Sequence, residues 1–73
     1  MPLNLALFDK EYTILKICGN ESQKHHLESM GFVSGGNITL IGEYHGYYIV
    51  DVKGSKVGID KQMAKKIIVL ANV

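Results

Sequence analysis

After Ser34-Gly35-Gly36 the spacing of apolar residues along the chain switches from a helical period to a period of two. Ile38 and Leu40 alternate with Thr39, Ile41 and Glu43. Further on, Tyr48, Val50 and Val52 alternate with Tyr47, Ile49, Asp51 and Lys53. Such alternation marks half-buried strands, and His45-Gly46 between the two runs predicts a two-residue hairpin turn that sets Tyr44 opposite Tyr47. Lys53-Gly54-Ser55-Lys56 predicts a second turn leading into Val57-Gly58-Ile59. Asp60 is placed to cap one helical turn, Lys61 to Lys66, and Ile67 to Leu70 read as a final strand.

Upstream, Phe8 to Glu11 reads as a turn, and Tyr12 to Cys18 (YTILKIC) as a strand rich in β-branched and aromatic residues. Asn20 opens the one well-marked helix. Its side chain can accept from an orphan amide, and Gln23 at the third helical position completes a capping box. The same helix has a legible end. Gly31 supplies a left-handed residue after Met30, and Phe32 then falls opposite Leu27, the apolar contact of a Schellman stop. Leu27, Gly31, Phe32 and the turn residue Gly54 are therefore expected to be structural. Strand, helix, three hairpin-linked strands, helical turn and strand make a mainly β chain with some α elements. So many short antiparallel strands close most readily into a small barrel of about five strands, with one inserted helix and a short helical turn before the last strand.

Seventy-three residues of 8.1 kDa predict one domain, 1–73, with a small core. Eight basic residues against seven acidic ones give +1, too little to drive capture of nucleic acid or an anionic membrane. All eight are lysine. Without arginine there is no bidentate fork for phosphate or guanine and no arginine finger for a nucleotide hydrolase, so no nucleic-acid partner is expected. The longest apolar run, Ile67 to Ala71, is far below the ~20 residues of a membrane span, and no secretory leader is read; direct membrane insertion is not expected and the cytoplasm is.

Catalytic residues are not expected either. No nucleophile elbow, phosphate loop, dinucleotide fingerprint or H-E-x-x-H occurs, and a chain of this size struggles to build a water-excluding pocket. No cofactor is implied. Cys18 is the single cysteine, which rules out an internal disulfide or a cysteine-rich zinc site; it reads as a small buried apolar residue. His25 and His26 are the candidates for metal ligation, but as neighbours on a helix they point about 100° apart, so no metal site is expected. Candidate partner contacts are His26 and Met30 on the helix, and Tyr44 and Tyr47 on the hairpin, since exposed tyrosine is enriched at interfaces.

The ordered series Leu27-x-x-Met30-Gly31-Phe32-Val33-x-Gly35, Ile38-Thr39-Leu40, Val50-x-Val52-Lys53-Gly54-Ser55-Lys56-Val57-Gly58-Ile59 and Met63-Ala64-x-x-Ile67-x-Val69 resembles the ferrous iron transport protein A (FeoA) family. It departs from the usual pattern at Ser34, where proline is frequent, at Lys56, where arginine is common, and at Gly58, where alanine is. The resemblance implies an SH3-like β-barrel. It also implies a cytoplasmic, non-catalytic accessory of ferrous iron uptake, whose partner is the FeoB-type permease and whose effect falls on that permease's G-protein cycle or assembly. Two other readings compete: a general interaction module, self-associating through a barrel edge as a homo-oligomer, and a direct Fe²⁺ binder or sensor using Cys18, His25, His26 and carboxylates.

Overall fold

The computed structural model describes residues 1–72 and follows the predicted element order, with one addition at the start of the chain. A 3₁₀ turn (Leu3–Leu5) precedes β1 (Glu11–Ile17), α1 (Glu21–Ser29), β2 (Asn37–Tyr44), β3 (Tyr47–Val52), β4 (Ser55–Asp60), α2 (Lys61–Lys66) and β5 (Ile67–Ala71). The strands make one antiparallel sheet in the order β4-β3-β2-β1-β5. The sheet curls because two ladders slip, between Ile14 and Lys16 on β1 and between Leu40 and Gly42 on β2, and each bulge adds local twist. The expected barrel of five strands with an inserted helix is the architecture observed.

Local chemistry accounts for most of the boundaries. Asn20 accepts from the Gln23 amide at 2.8 Å while the Gln23 side chain accepts from the Asn20 amide at 3.1 Å, so both halves of the capping box form. At the other end, the Gly31 amide donates to Glu28 and the Phe32 amide to Leu27, which is the Schellman pair, with Gly31 at φ +99°. Both hairpin turns have two central residues at positive φ, His45-Gly46 and Lys53-Gly54, as a type I′ turn requires. Ser55 and Lys56, read from sequence as turn, already belong to β4. Asp60 caps α2 by accepting from the Met63 amide at 2.7 Å.

Every element contributes to one core. Tyr12, Ile14 and Ile17 of β1, Ile38 and Leu40 of β2, Val50 and Val52 of β3, Ile59 of β4 and Ile67 and Val69 of β5 are buried with Leu27, Phe32 and Ala64. Leu3 joins them from the N-terminal turn, fully buried. Its burial follows from how the first residues pair. Met1 and Val69 exchange backbone hydrogen bonds of 2.7 Å each, and Pro2 bridges Ile68, so the chain start lies along the outer edge of β5. Tyr12 extends from the core to this segment, its hydroxyl accepting from the Leu7 amide at 3.0 Å.

Candidate functional site

Helix α1 is mostly polar and meets the core through one buried side chain, Leu27. That leaves a shallow gap between α1 and α2, because α2 likewise buries only Ala64. Gln23, His26, Leu27, Met63 and Lys66 line the gap, a cleft of about 100 Å³. Its floor is the Leu27 and Met63 side chains, and its rim carries His26 and Lys66. The helix period explains the grouping, since Gln23, His26 and Leu27 stand three and four residues apart on one face. An apolar floor with a basic rim suits an apolar side chain flanked by an acidic one.

The four residues expected to contact a partner fall into different settings. His26 is exposed and lines the cleft. Met30, one turn on, is half-buried against the core and not part of the cleft lining. Tyr44 and Tyr47 are cross-strand partners at the β2–β3 hairpin tip, 68% and 54% exposed, which leaves both rings open to a partner. The Tyr44 ring meets the His45 ring edge-on, with centroids 4.3 Å apart at 73°. Met63 and Lys66 complete the cleft and were not singled out in sequence. Nothing local marks them, since their role depends on α2 folding back beside α1.

Two side chains sit differently from the sequence expectation. Cys18 is half-buried rather than buried: it lies just past the end of β1, and its amide donates to the Lys66 carbonyl at 2.7 Å. Tyr48, which alternates in phase with the buried Val50 and Val52, is only partly buried. It pairs with Glu43, and Lys61 reaches over its ring at 5.8 Å from the centroid while binding the Glu43 carboxylate at 2.7 Å. That carboxylate, by accepting the hydrogen bond and by its charge, holds the Lys61 ammonium above its ordinary 10.5.

His25 and His26 are both exposed on α1. Among the described residues, no three His, Cys, Asp or Glu side chains come together as a metal site would need. A second concavity, about 310 Å³, lies across the outer face of the sheet between Glu11, Asn37, Thr39, Asp51 and Lys53. Two carboxylates, Glu11 and Asp51, stand there with one ammonium, Lys53, over the ladder of β1, β2 and β3. No helix among the described residues is long and apolar enough to cross a membrane.

A curled five-stranded antiparallel sheet with a helix between its first two strands and a helical turn before its last defines a small SH3-like barrel. Known structures share it over nearly the whole chain. The crystal structure of an iron uptake regulatory protein (FeoA) aligns with a TM-score of 0.85 at 28% identity, covering 94% of this chain and 92% of that one. The NMR structure of a FeoA-like protein from Clostridium acetobutylicum gives 0.89 at 20% identity, covering 100% and 87%. Stenotrophomonas maltophilia FeoA, crystallised in complex with zinc and described as a prokaryotic SH3 domain protein, gives 0.82 at 17% identity, covering 94% and 88%. No curated protein matches the sequence. A family model for the FeoA domain matches residues 1–71. The chain belongs to the FeoA family, which is implicated in ferrous iron transport.

Proposed function

We propose that this protein is a cytoplasmic, non-catalytic accessory of ferrous iron uptake that docks on a FeoB-type permease and modulates its G-protein cycle or its assembly. Membership of the FeoA family is the observation that carries this reading. The geometry supports an adaptor: its exposed features include a small apolar cleft with a basic rim and a pair of open tyrosines, surfaces suited to protein contact. His26 at the cleft, with Met30 behind it, and Tyr44 and Tyr47 on the hairpin are the contacts we assign to the partner. With no arginine in the chain, it cannot complete a GTPase site with a guanidinium finger. It must act by binding one state of the permease more tightly than another.

The test is an amide NMR titration with full-length permease in nanodiscs, repeated with the isolated cytosolic G-domain. Localised, saturable shifts or selective broadening at α1, α2 or the β2–β3 hairpin are expected. A folded spectrum that stays unchanged with both forms of the permease would refute the docking reading.

A further inference from the structure

We propose that the outer edge of β4 is a self-association surface, through which two copies of this chain pair antiparallel about Gly58 and join their sheets into one. The inference does not rest on the permease reading. It begins from an asymmetry between the two ends of the sheet. The β5 edge is covered by the chain's own first residues, with Met1 and Val69 exchanging hydrogen bonds and Pro2 bridging Ile68. The β4 edge pairs with β3 alone, and no backbone bond from Lys56 or Gly58 reaches any other segment among the described residues. An uncovered strand edge is a template for another strand.

The register of β3 and β4 identifies which groups face outward. In a two-residue hairpin the pair flanking the turn, here Val52 and Ser55, is hydrogen-bonded, and bonded pairs then alternate with non-bonded ones. Ser55, Val57 and Ile59 therefore turn their amides and carbonyls to β3. Lys56 and Gly58 turn theirs to the open edge, as does Asp60 its amide, while the Asp60 carbonyl heads α2; all three residues are exposed. Among two-fold axes that pass through an outward residue, sequence then favours one, and it is the one that pairs opposite charges. A two-fold axis at Gly58 sets Lys56 of each copy opposite Asp60 of the other and Val57 opposite Ile59, with glycine backbones meeting at the axis. Axes at Lys56 or at Asp60 would instead set like charges face to face, which is unfavourable for directly opposed residues.

The charges needed are available. Lys61 with Glu43 is the only ion pair among the described residues, so neither Lys56 nor Asp60 is engaged in one. Asp60 uses Oδ1 to cap α2 and keeps Oδ2 free. Only three outward residues per strand take part, so the contact falls well below the ~1,200 Å² of a standard interface and the dimer is weak and concentration-dependent.

Sedimentation velocity and amide NMR over a dilution series from millimolar to micromolar test this. We expect the average mass to approach that of two copies at millimolar concentration. The amides of Lys56, Gly58 and Asp60 should shift and gain exchange protection in step, and isotope-filtered spectra should show a Gly58-to-Gly58 contact between copies. Lys56→Glu, which opposes two acids at each end of the pairing, should return the mass to that of one copy. Asp60→Asn, which keeps the cap and deletes the charge, should weaken association without abolishing it. A wild-type chain that stays a single copy at millimolar concentration overturns the proposal. So does a dimer whose shifts fall outside β4 and survive Lys56→Glu. The wild-type dilution series decides the matter even if a variant fails to fold.

Discussion

The amide of Phe32 donates to the carbonyl of Leu27 at 3.1 Å, and both side chains are almost fully buried in the same core. One backbone bond thus ends helix α1 and sets the two side chains that fix the helix to the barrel. The residue between Met30 and Phe32 must turn left-handed for this to happen, and Gly31 does so at φ +99°. A Cβ at Gly31 would meet only ordinary contacts, the nearest 3.7 Å away on the Lys53 stem, so the cost of a side chain there is conformational and not steric. Gly31→Ala should therefore destabilise the protein by about 1 kcal/mol. Thermal denaturation should show a fall in Tm of roughly 4–8 °C, the usual scale for a domain this small. Gly31→Asn should lose less, because asparagine tolerates the left-handed region.

Phe32 itself is the larger stake. It is fully buried, and the surrounding side chains come from the sheet as well as from α1. Phe32→Ala should cost about 3–5 kcal/mol, much of the margin available to so short a chain. Urea denaturation should show a much lower midpoint, and a folded baseline that survives unchanged would mean that α1 is not coupled to the barrel.

The helix ends and hairpins were legible in the sequence because each is determined within a few residues. Asn20 with Gln23, Gly31 with Phe32, and the His45-Gly46 and Lys53-Gly54 turns carry their signals locally. The N-terminal segment was not legible, for the opposite reason. Leu3 looks like any leucine near a chain end, and its burial depends on Met1 and Pro2 pairing with β5, more than sixty residues away. The candidate site divides in the same way. His26, on an exposed helix face, could be picked out; Met63 and Lys66 could not, since only the return of α2 brings them to the cleft. Tyr48 keeps the inward phase of Val50 and Val52, opposite the buried Ile59, but stands one residue from the open hairpin end of β3, where the core covers it only in part. Alternation gives the face of a strand and not how far the core extends along it.

Leu3 offers a direct test of that non-local contribution. With the side chain fully buried, Leu3→Ala should cost about 2–5 kcal/mol, a core-sized penalty at a position where a frayed terminus would show almost none. Hydrogen exchange should report it twice, through the global stability and through faster exchange at Val69, whose amide bonds to Met1. A Leu3→Ala protein with wild-type stability would show that the first residues do not pack as described.

Lys61 provides a prediction in pH. Its bond to Glu43 raises the ammonium above 10.5 in the folded chain, while the unfolded chain titrates at the ordinary value. A group whose folded pKa is raised contributes stability that is complete below the unfolded pKa and is lost as pH rises through the folded one. The pair therefore helps the fold across neutral and mildly alkaline pH, and its contribution disappears only at strongly alkaline pH. Both side chains are largely exposed, so the effect is modest and salt weakens it. NMR titration of the Lys61 side chain should give a midpoint above 10.5 in the wild type and a lower one in Glu43→Gln, with the gap narrowing as salt is added. An unchanged midpoint in Glu43→Gln would mean that the carboxylate does not set the Lys61 charge, and that the ammonium is held over Tyr48 by the ring alone.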